Sequence, residues 1–122
     1  MNLNVLPQAF TVCQISDVSG VDFSRAFVFL SKTDEELSLV CETASVPAST
    51  LAREDGWRGF RVCGVLDFSL VGILAKISGL LAEQGISIFA VSTYNTDYLF
   101  TKAEVLARAM DALSRAGYAI LE

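Results

Sequence analysis

The sequence predicts an α+β fold in which a complete βαββαβ unit follows a shorter, less regular unit of the same kind. Three observations support this prediction. The second half of the chain alternates short β-type runs with two amphipathic helical stretches. The first half repeats the strand runs but leaves little room for helices. Hydrophobic residues make up 52% of the 122 residues and charged residues 19%, so the chain can bury a core, shared by both units.

The second half opens with a strand and an amphipathic helix. Phe60–Leu66 is a short apolar run rich in β-formers, which predicts a strand. From Val71 to Gln84, apolar residues recur at helical spacing and form one stripe. The stripe consists of Ile73, Leu74, Ile77, Leu80 and Leu81. Gly85 is placed to end this helix with a left-handed cap.

The remaining elements complete the βαββαβ order, which is that of a ferredoxin-like unit. Tyr94–Thr96 is a predicted turn between two strands, and Thr101 with Glu104 matches a capping box at the start of the second helix. Gly117 ends that helix. The predicted strands are Ile86–Thr93, Asp97–Phe100 and Tyr118–Leu121.

The first half contains strand signals but few helix signals. Its predicted strands are Phe10–Ile15, Ala26–Ser31 and Leu37–Glu42. Ser16–Arg25 has room for only a turn or two of helix, and Ala48–Glu54 is a predicted second helix after Pro47. The junction falls at Asp55–Gly59, which divides the chain into an N-terminal unit, 1–58, and a C-terminal unit, 59–122.

Composition excludes several functions. The formal net charge of −5 argues against binding nucleic acid, which needs a basic face. The chain has no histidine, which excludes Ser-His and Cys-His nucleophile pairs and histidine-based metal sites. Cys13, Cys41 and Cys63 lie in apolar runs without metal-ligand spacing, so we expect free thiols in the core and no metal site.

Nothing in the sequence indicates export or membrane insertion. Met1–Thr11 contains no Lys or Arg and is not a signal peptide. The longest apolar stretches, Ala26–Leu30 and Leu70–Ala75, are too short to span a bilayer. We therefore expect a cytoplasmic protein with no membrane partner.

Two segments are candidate binding sites, and each has an ordinary structural alternative. Leu66–Leu74 crosses from strand to helix, where backbone N–H groups can bind an anion and Gly72 allows close approach. The alternative is a simple helix cap at Asp67 or Ser69. Ser92–Tyr98 is a polar run between two strands, whose alternative is an ordinary turn. A third pair of carboxylates, Glu35 and Glu36, is expected to face solvent.

These two segments resemble the ACT domains of the CASTOR-like group, small bacterial tandem ACT proteins and animal cytosolic arginine sensors. The resemblance rests on Asp67–Ala75 and Gly85–Tyr98, with Glu36–Cys41 and Gly56–Arg58 upstream. It implies tandem ferredoxin-like ACT units, the N-terminal one irregular or incomplete, that bind a free amino acid between units. Val71-Gly72 stands where many ACT domains have Pro-Gly.

The resemblance also implies which residues bind the ligand. The ligand carboxylate is expected at the helix entry and the ammonium group near the second segment, with Asp97 as the matching carboxylate. The implied binding residues are Ser69, Leu70, Val71, Gly72, Ile73, Ser92, Thr93, Tyr94, Asn95 and Asp97. No residue is assigned to catalysis.

Two functions of different class therefore stand open. The first is a non-catalytic amino-acid sensor without a cofactor. The alternative is a structural or interaction module with a vestigial pocket that acts through dimerisation. A homodimer is expected in either case, because Phe89 and Val91 point away from the Ile86/Ile88 stripe toward a sheet face without helices.

Overall fold

The computed structural model describes residues 1–64 and 72–122, and these residues form an α+β fold, as the sequence predicts. The strands are β1 (Asn2–Gln14), β2 (Val28–Lys32), β3 (Leu37–Glu42), β4 (Ala52–Val62), β5 (Ile88–Ser92), β6 (Asp97–Lys102) and β7 (Ala119–Leu121). The helices are α1 (Ile73–Glu83) and α2 (Leu106–Arg115), and 3₁₀ turns span Thr43–Ser45 and Ala103–Val105. Neither helix in these two ranges is long and apolar enough to cross a membrane.

The chain divides into two compact units, and strands β1 and β4 contribute residues to both. The helical unit comprises Met1–Pro7 and Arg58–Glu122, and the strand unit comprises Gln8–Trp57. Each has its own hydrophobic cluster. The division of the sequence into domains at residues 58 and 59 stays a prediction.

The helical unit has the predicted βαββαβ order from β4 onward, with an extra strand supplied by the N-terminus. Its strands lie in the order β7-β1-β4-β6-β5. Strand β1 runs parallel to β7, with Asn2 opposite Ala119 and Asn4 opposite Leu121. The prediction that the first strand begins at Phe10 was wrong. Strand β1 already begins at Asn2, because Asn2–Asn4 pair with β7 near the end of the sequence.

The core of the helical unit lies between its strands and its two helices. Alternate strand residues, Leu3 and Val5 of β1 and Phe60 and Val62 of β4, are almost fully buried against this core. The helices contribute Ile77, Leu81, Ala109, Met110 and Leu113. Residues on the other face of the same strands therefore point away from α1 and α2.

Helix α1 confirms the predicted helix with slightly shorter bounds. Ile73, Ile77 and Leu81 are spaced four apart and pack into the core, where Ile77 and Leu81 are fully buried. Beyond the helix, Gly85 adopts the left-handed conformation with φ 70°, as predicted, and its N–H donates to Ala82 O at 2.9 Å.

The capping box predicted at Thr101 was wrong. Thr101 is fully buried in strand β6, and its Oγ1 hydrogen bonds to Lys102 O at 3.3 Å. The 3₁₀ turn begins only at Ala103, and no side chain caps it. Strand alternation carries Thr101 to the same face as the core residue Leu99, so its hydroxyl does not reach the helix.

The helix predicted at Ala48–Glu54 was also wrong, because strand β4 already begins at Ala52. Leu51 N donates to Gln14 O at 2.8 Å, so the chain already pairs with the end of β1 where the helix was predicted. The predicted turn or two of helix in Ser16–Arg25 is absent from the described structure. There the Asp17 carboxylate accepts hydrogen bonds from the Ser19 hydroxyl and from Ser19 N, the latter at 2.9 Å, which form a tight turn and lower the pKa of Asp17.

The strand unit has the strand order β2-β3-β1-β4 around a small core. That core contains Cys13, Ile15, Leu39 and Cys41. The buried Glu42 carboxylate accepts a hydrogen bond from Arg25 Nη2 at 2.9 Å, which ties the loop before β2 to the end of β3. Pairing with a cation compensates for the burial of that carboxylate.

The elements of the hairpin β2–β3 recur in the hairpin β5–β6, each of them 60 residues later in the sequence. Val28–Lys32 recurs as Ile88–Ser92, Leu37–Glu42 as Asp97–Lys102, and Thr43–Ser45 as Ala103–Val105. The turns are closed by the same hydrogen bond, from Thr33 N to Glu36 O and from Thr93 N to Thr96 O, both at 2.9 Å. The similarity therefore includes the turn geometry as well as the strand lengths.

Replacing Gly59 by alanine is expected to lower the stability of the protein, whereas replacing Gly79 by alanine is expected to raise it. A Cβ at Gly59 would lie 2.9 Å from Cε1 of the fully buried Phe100 ring, which is closer than van der Waals contact. We expect Gly59→Ala to lower the free energy of unfolding by about 1–3 kcal/mol. Gly79 in α1 has nothing within 4 Å, so Gly79→Ala should raise it by about 0.5–1 kcal/mol. Urea unfolding of both variants measures the difference, and equal signs would contradict the packing described.

Candidate functional site

The entry to helix α1 forms the first part of the predicted site. Ser69, Leu70 and Val71 lie outside the described residues. Gly72 precedes the helix with φ 82°, a left-handed conformation that other residues rarely adopt, and its carbonyl accepts the N–H of Lys76 at 2.8 Å. Gly72, Ile73 and Lys76 line an open cavity of about 300 Å³, the helix-entry cavity. Its other lining residues are Met1, Ala116, Gly117 and Tyr118.

Charge in the helix-entry cavity favours an anion. Lys76 supplies a cation, and the N-terminus of α1 carries the partial positive charge of a helix dipole. Sequence reasoning predicted Gly72 and Ile73 here but missed Lys76. The signal available was its spacing, since Lys76 stands one helical turn after Gly72.

The second part of the predicted site is a tight hairpin turn between β5 and β6. Thr93 Oγ1 donates to Thr96 O at 2.9 Å and accepts from Thr96 N at 3.3 Å. Tyr94, at the tip, is 79% exposed. These bonds close the turn on itself, which is what an ordinary polar turn also does.

Asp97 lies at the start of β6 directly opposite Ser92 of β5. Ser92 Oγ donates to Asp97 Oδ1 at 2.7 Å, so the hydroxyl fixes the rotation of the carboxylate. Asp97 is half-buried, while Ser92 is exposed. The structure therefore holds a carboxylate in a defined orientation at the edge of the hairpin, which suits contact with a cationic group.

Thr96 is a positioning residue that the sequence did not reveal. Its buried Oγ1 donates to the carbonyl of Val62 at 2.8 Å, which fastens the hairpin turn to the end of β4. A threonine in a polar run gives no sequence signal for such a contact, because the partner carbonyl lies 34 residues earlier.

Asn95 lines a second cavity of about 330 Å³, the Arg61 cavity, which also belongs to the helical unit. The described linings of the two cavities share no residue. The structure thus groups Gly72 with Ile73 and places Asn95 elsewhere, with Arg61 and Tyr98. Arg61 was missed by sequence reasoning, although a charged residue within the apolar run Phe60–Leu66 was a usable signal.

The three cysteines are free, and they differ in accessibility. Cys13 and Cys41 are buried, which raises the pKa of both thiols, that of Cys41 to about 11. Cys63 is half-buried and lines the Arg61 cavity. Within the described residues, no group of three or more His, Cys, Asp or Glu side chains is placed to hold a metal ion.

Native thiol chemistry should therefore distinguish one cysteine from the other two. At pH 8 we expect iodoacetamide to alkylate Cys63 at least tenfold faster than Cys13 or Cys41. Burial keeps the reagent away from the thiols of Cys13 and Cys41 and disfavours their thiolate forms. Raising the pH toward 11 should reduce the difference in alkylation rate between Cys63 and Cys41. Mass spectrometry of tryptic peptides measures each rate, and denaturant should release three equivalent thiols. A native protein in which Cys41 reacts first would contradict this burial pattern.

No curated protein sequence matches the chain significantly. A profile of the ACT domain family matches residues 52–115, more than half of the chain. The chain belongs to the ACT domain family. The matched region runs from β4 to the end of α2, so it includes both parts of the predicted site.

Solved structures agree with this ACT assignment at the level of the fold. Protein Atu0741 from Agobacterium tumefaciens is 29% identical, with a TM-score of 0.87 over 98% of this chain and 91% of that chain. VC0802 from Vibrio cholerae, a possible transport protein of unknown function, is 21% identical with a TM-score of 0.71, over 93% and 88%. The regulatory subunit of aspartate kinase from Thermus thermophilus is 12% identical with a TM-score of 0.64, over 96% and 97%.

ACT domains are regulatory modules that bind amino acids, and this membership indicates a regulatory role for the chain. The similarity to an aspartate kinase regulatory subunit concerns the fold, since identity is only 12%. Residues 1–51 lie outside the matched region, and they include most of the strand unit.

Proposed function

We propose that this protein is a non-catalytic sensor that binds a free amino acid in the cytoplasm, as a member of the CASTOR-like group of ACT proteins. The observation that carries the proposal is the Asp97 carboxylate, oriented by Ser92 at 2.7 Å within the ACT-matched region. An oriented, half-buried carboxylate suits an ammonium group.

In the proposed complex, the two ends of the ligand bind different segments. The helix entry, Ser69–Ile73, receives the carboxylate, and Ser92–Asp97 receives the ammonium group. The left-handed Gly72 and the cation of Lys76 support the first assignment. The hydrogen-bonded pair of Ser92 and Asp97 supports the second.

We further propose that the chain contains two ACT units in tandem, 1–58 and 59–122, with the ligand at an interface between ACT units. The constant separation of 60 residues between the hairpins supports this proposal. At that separation Leu37 corresponds to Asp97, and Lys32 corresponds to Ser92. The first hairpin therefore lacks the carboxylate, and the proposal assigns ammonium binding to the second hairpin alone.

A thermal-shift screen against the common amino acids tests the proposal. An amino acid present at about 100 times its dissociation constant should stabilise the protein by about 2.7 kcal/mol. The amide of the same amino acid, which lacks the carboxylate, is the matched control and should give little or no shift. A protein whose melting temperature responds to none of the amino acids is not a sensor of them.

The alternative function is an interaction module with a vestigial pocket, and one observation favours it. The hydrogen bonds between Thr93 and Thr96 close the hairpin turn on itself, as in an ordinary polar turn. In that case amino acids would leave the melting temperature unchanged, while self-association would persist. The two functions are therefore separated by the thermal-shift screen, because a homodimer is expected in both cases.

We expect a homodimer at tens of micromolar protein. Phe89 stacks on Phe100 with ring centroids 4.7 Å apart, and both Phe89 and Val91 remain only half-buried. This leaves apolar surface on the face away from the helices, which association would cover. Multi-angle light scattering should give twice the chain mass of 13.2 kDa. A clean monomer at that concentration would count against the prediction.

A further inference from the structure

The Arg61 cavity is built from four neighbouring strands of the helical unit. The lining includes Leu121 of β7, Asn4 of β1, Arg61 and Val62 of β4 and Tyr98 of β6, and these strands lie side by side in that order. Asn4 is directly opposite Leu121. Their chain neighbours Leu3, Val5, Phe60, Val62 and Leu99 pack into the core with the helices. Side chains alternate between the two faces of a sheet, so Leu121, Asn4, Arg61 and Tyr98 form a row across the strands on the face away from α1 and α2.

Arg61 is held in place within this row. Its Nη1 donates to Tyr98 Oη at 3.3 Å, and its guanidinium carbon lies 5.9 Å from the centre of the Tyr98 ring. The side chain is half-buried. A guanidinium fixed by an aromatic neighbour loses less conformational freedom on binding a ligand than a lysine at the surface does.

The other polar residues around the cavity suit an anion with hydrogen-bond acceptors. Asn4 and Asn95 contribute carboxamides, and Tyr98 contributes a hydroxyl. Among the described lining residues there is no Asp or Glu, and Arg61 is the one cation. A single planar guanidinium matches a carboxylate in bidentate geometry, whereas a phosphate dianion usually requires further positive charge.

We propose that the Arg61 cavity binds a small carboxylate through Arg61, with the carboxamides of Asn4 and Asn95 donating hydrogen bonds to it. This site shares Asn95 with the proposed amino-acid site, but it goes beyond that site because it uses Arg61 and Asn4 in place of the entry to α1 and Asp97. The cavity, at about 330 Å³, is large enough for a short mono- or dicarboxylate.

Succinate is the probe that tests the site. In a ¹H–¹⁵N NMR titration at 150 mM NaCl, succinate should shift the side-chain NH₂ signals of Asn4 and Asn95 in a saturable manner. It should also slow the alkylation of Cys63, which lines the same cavity. Neutral succinamide, of the same size, should do neither. Binding that fails to saturate, or saturates equally with succinamide, would overturn the proposal.

Three variants separate the site from nonspecific charge effects. Arg61→Leu should weaken succinate binding at least tenfold, and Arg61→Lys should recover only part of it, because an ammonium cannot form the bidentate pair. Arg115→Leu, which removes an exposed cation on α2 outside both cavities, should bind succinate normally. Circular dichroism checks that each variant is folded. Should Arg61→Leu fail to fold, Tyr98→Phe, which removes only the hydroxyl on Arg61, should still weaken binding several-fold. Unchanged binding in the folded Arg61 or Tyr98 variant would refute the assignment.

Two further comparisons define the ligand class and its independence. Inorganic phosphate should bind more weakly than succinate, and tighter phosphate binding would refute the choice of a carboxylate. If amino acids fail in the thermal-shift screen while succinate still shifts Asn4 and Asn95, the proposed function fails and this site stands. If amino acids bind but succinate does not, the proposed function stands and the carboxylate site at Arg61 is refuted.

Discussion

Replacing Asp97 by alanine is expected to weaken amino-acid binding by at least about 30-fold. The substitution leaves the ligand's ammonium group without its partner in a partly buried site, which costs about 2–5 kcal/mol. Each 1.4 kcal/mol corresponds to about a tenfold change in affinity. Isothermal titration calorimetry with whichever amino acid the screen identifies measures the change.

The same substitution should leave folding nearly unchanged. Asp97 is half-buried, and its described side-chain hydrogen bond comes from the exposed Ser92. Losing one such bond costs about 0.5–1.5 kcal/mol. A residue that merely formed the turn would behave in the opposite way, with a lower melting temperature and the same affinity.

Two matched variants make the result specific to Asp97. Asp34→Ala removes an exposed carboxylate from the corresponding turn of the first hairpin, and it should leave affinity unchanged. Ser92→Ala removes only the hydroxyl that orients Asp97, and it should weaken binding by less than Asp97→Ala. A folded Asp97→Ala protein with unaltered affinity would end the case for a ligand contact.

The parts of the fold that the sequence predicted well are those that depend on local patterns. The strand Leu37–Glu42 was predicted with its observed bounds, and α1 was predicted from the spacing of Ile73, Ile77 and Leu81. Gly85 was identified as a left-handed cap, because few other residues adopt that conformation. Such features are determined within about a dozen residues, so one sequence suffices.

The parts that the sequence did not reveal depend on distant partners. Asn2–Asn4 become a strand because they pair with Ala119–Leu121, more than a hundred residues away. Ala52 begins a strand in a stretch where a helix was predicted. In the candidate site, the Asp97 pair with Ser92 lies within one hairpin, but Arg61 and Asn4 meet only through the order of the strands.

Replacing Phe100 by alanine is expected to destabilise the protein by about 3–5 kcal/mol, the range for removing a fully buried aromatic ring. Phe100 has no exposed surface, and its ring stacks on Phe89 with an interplanar angle of 12°. Its Cε1 also lies 2.9 Å from the position of a Cβ at Gly59, so the space is filled on that side too. Urea unfolding followed by circular dichroism measures the loss.

A matched variant and a double substitution test whether this packing explains the loss. Phe89→Ala removes the other ring of the stack, but Phe89 is only half-buried, so it should cost clearly less than Phe100→Ala. Phe100→Leu makes space beside Gly59, so adding Gly59→Ala to it should cost less than Gly59→Ala alone. Strict additivity of these two changes would show that Phe100 and residue 59 do not compete for the same space, because substitutions that share a contact are coupled and independent ones are not.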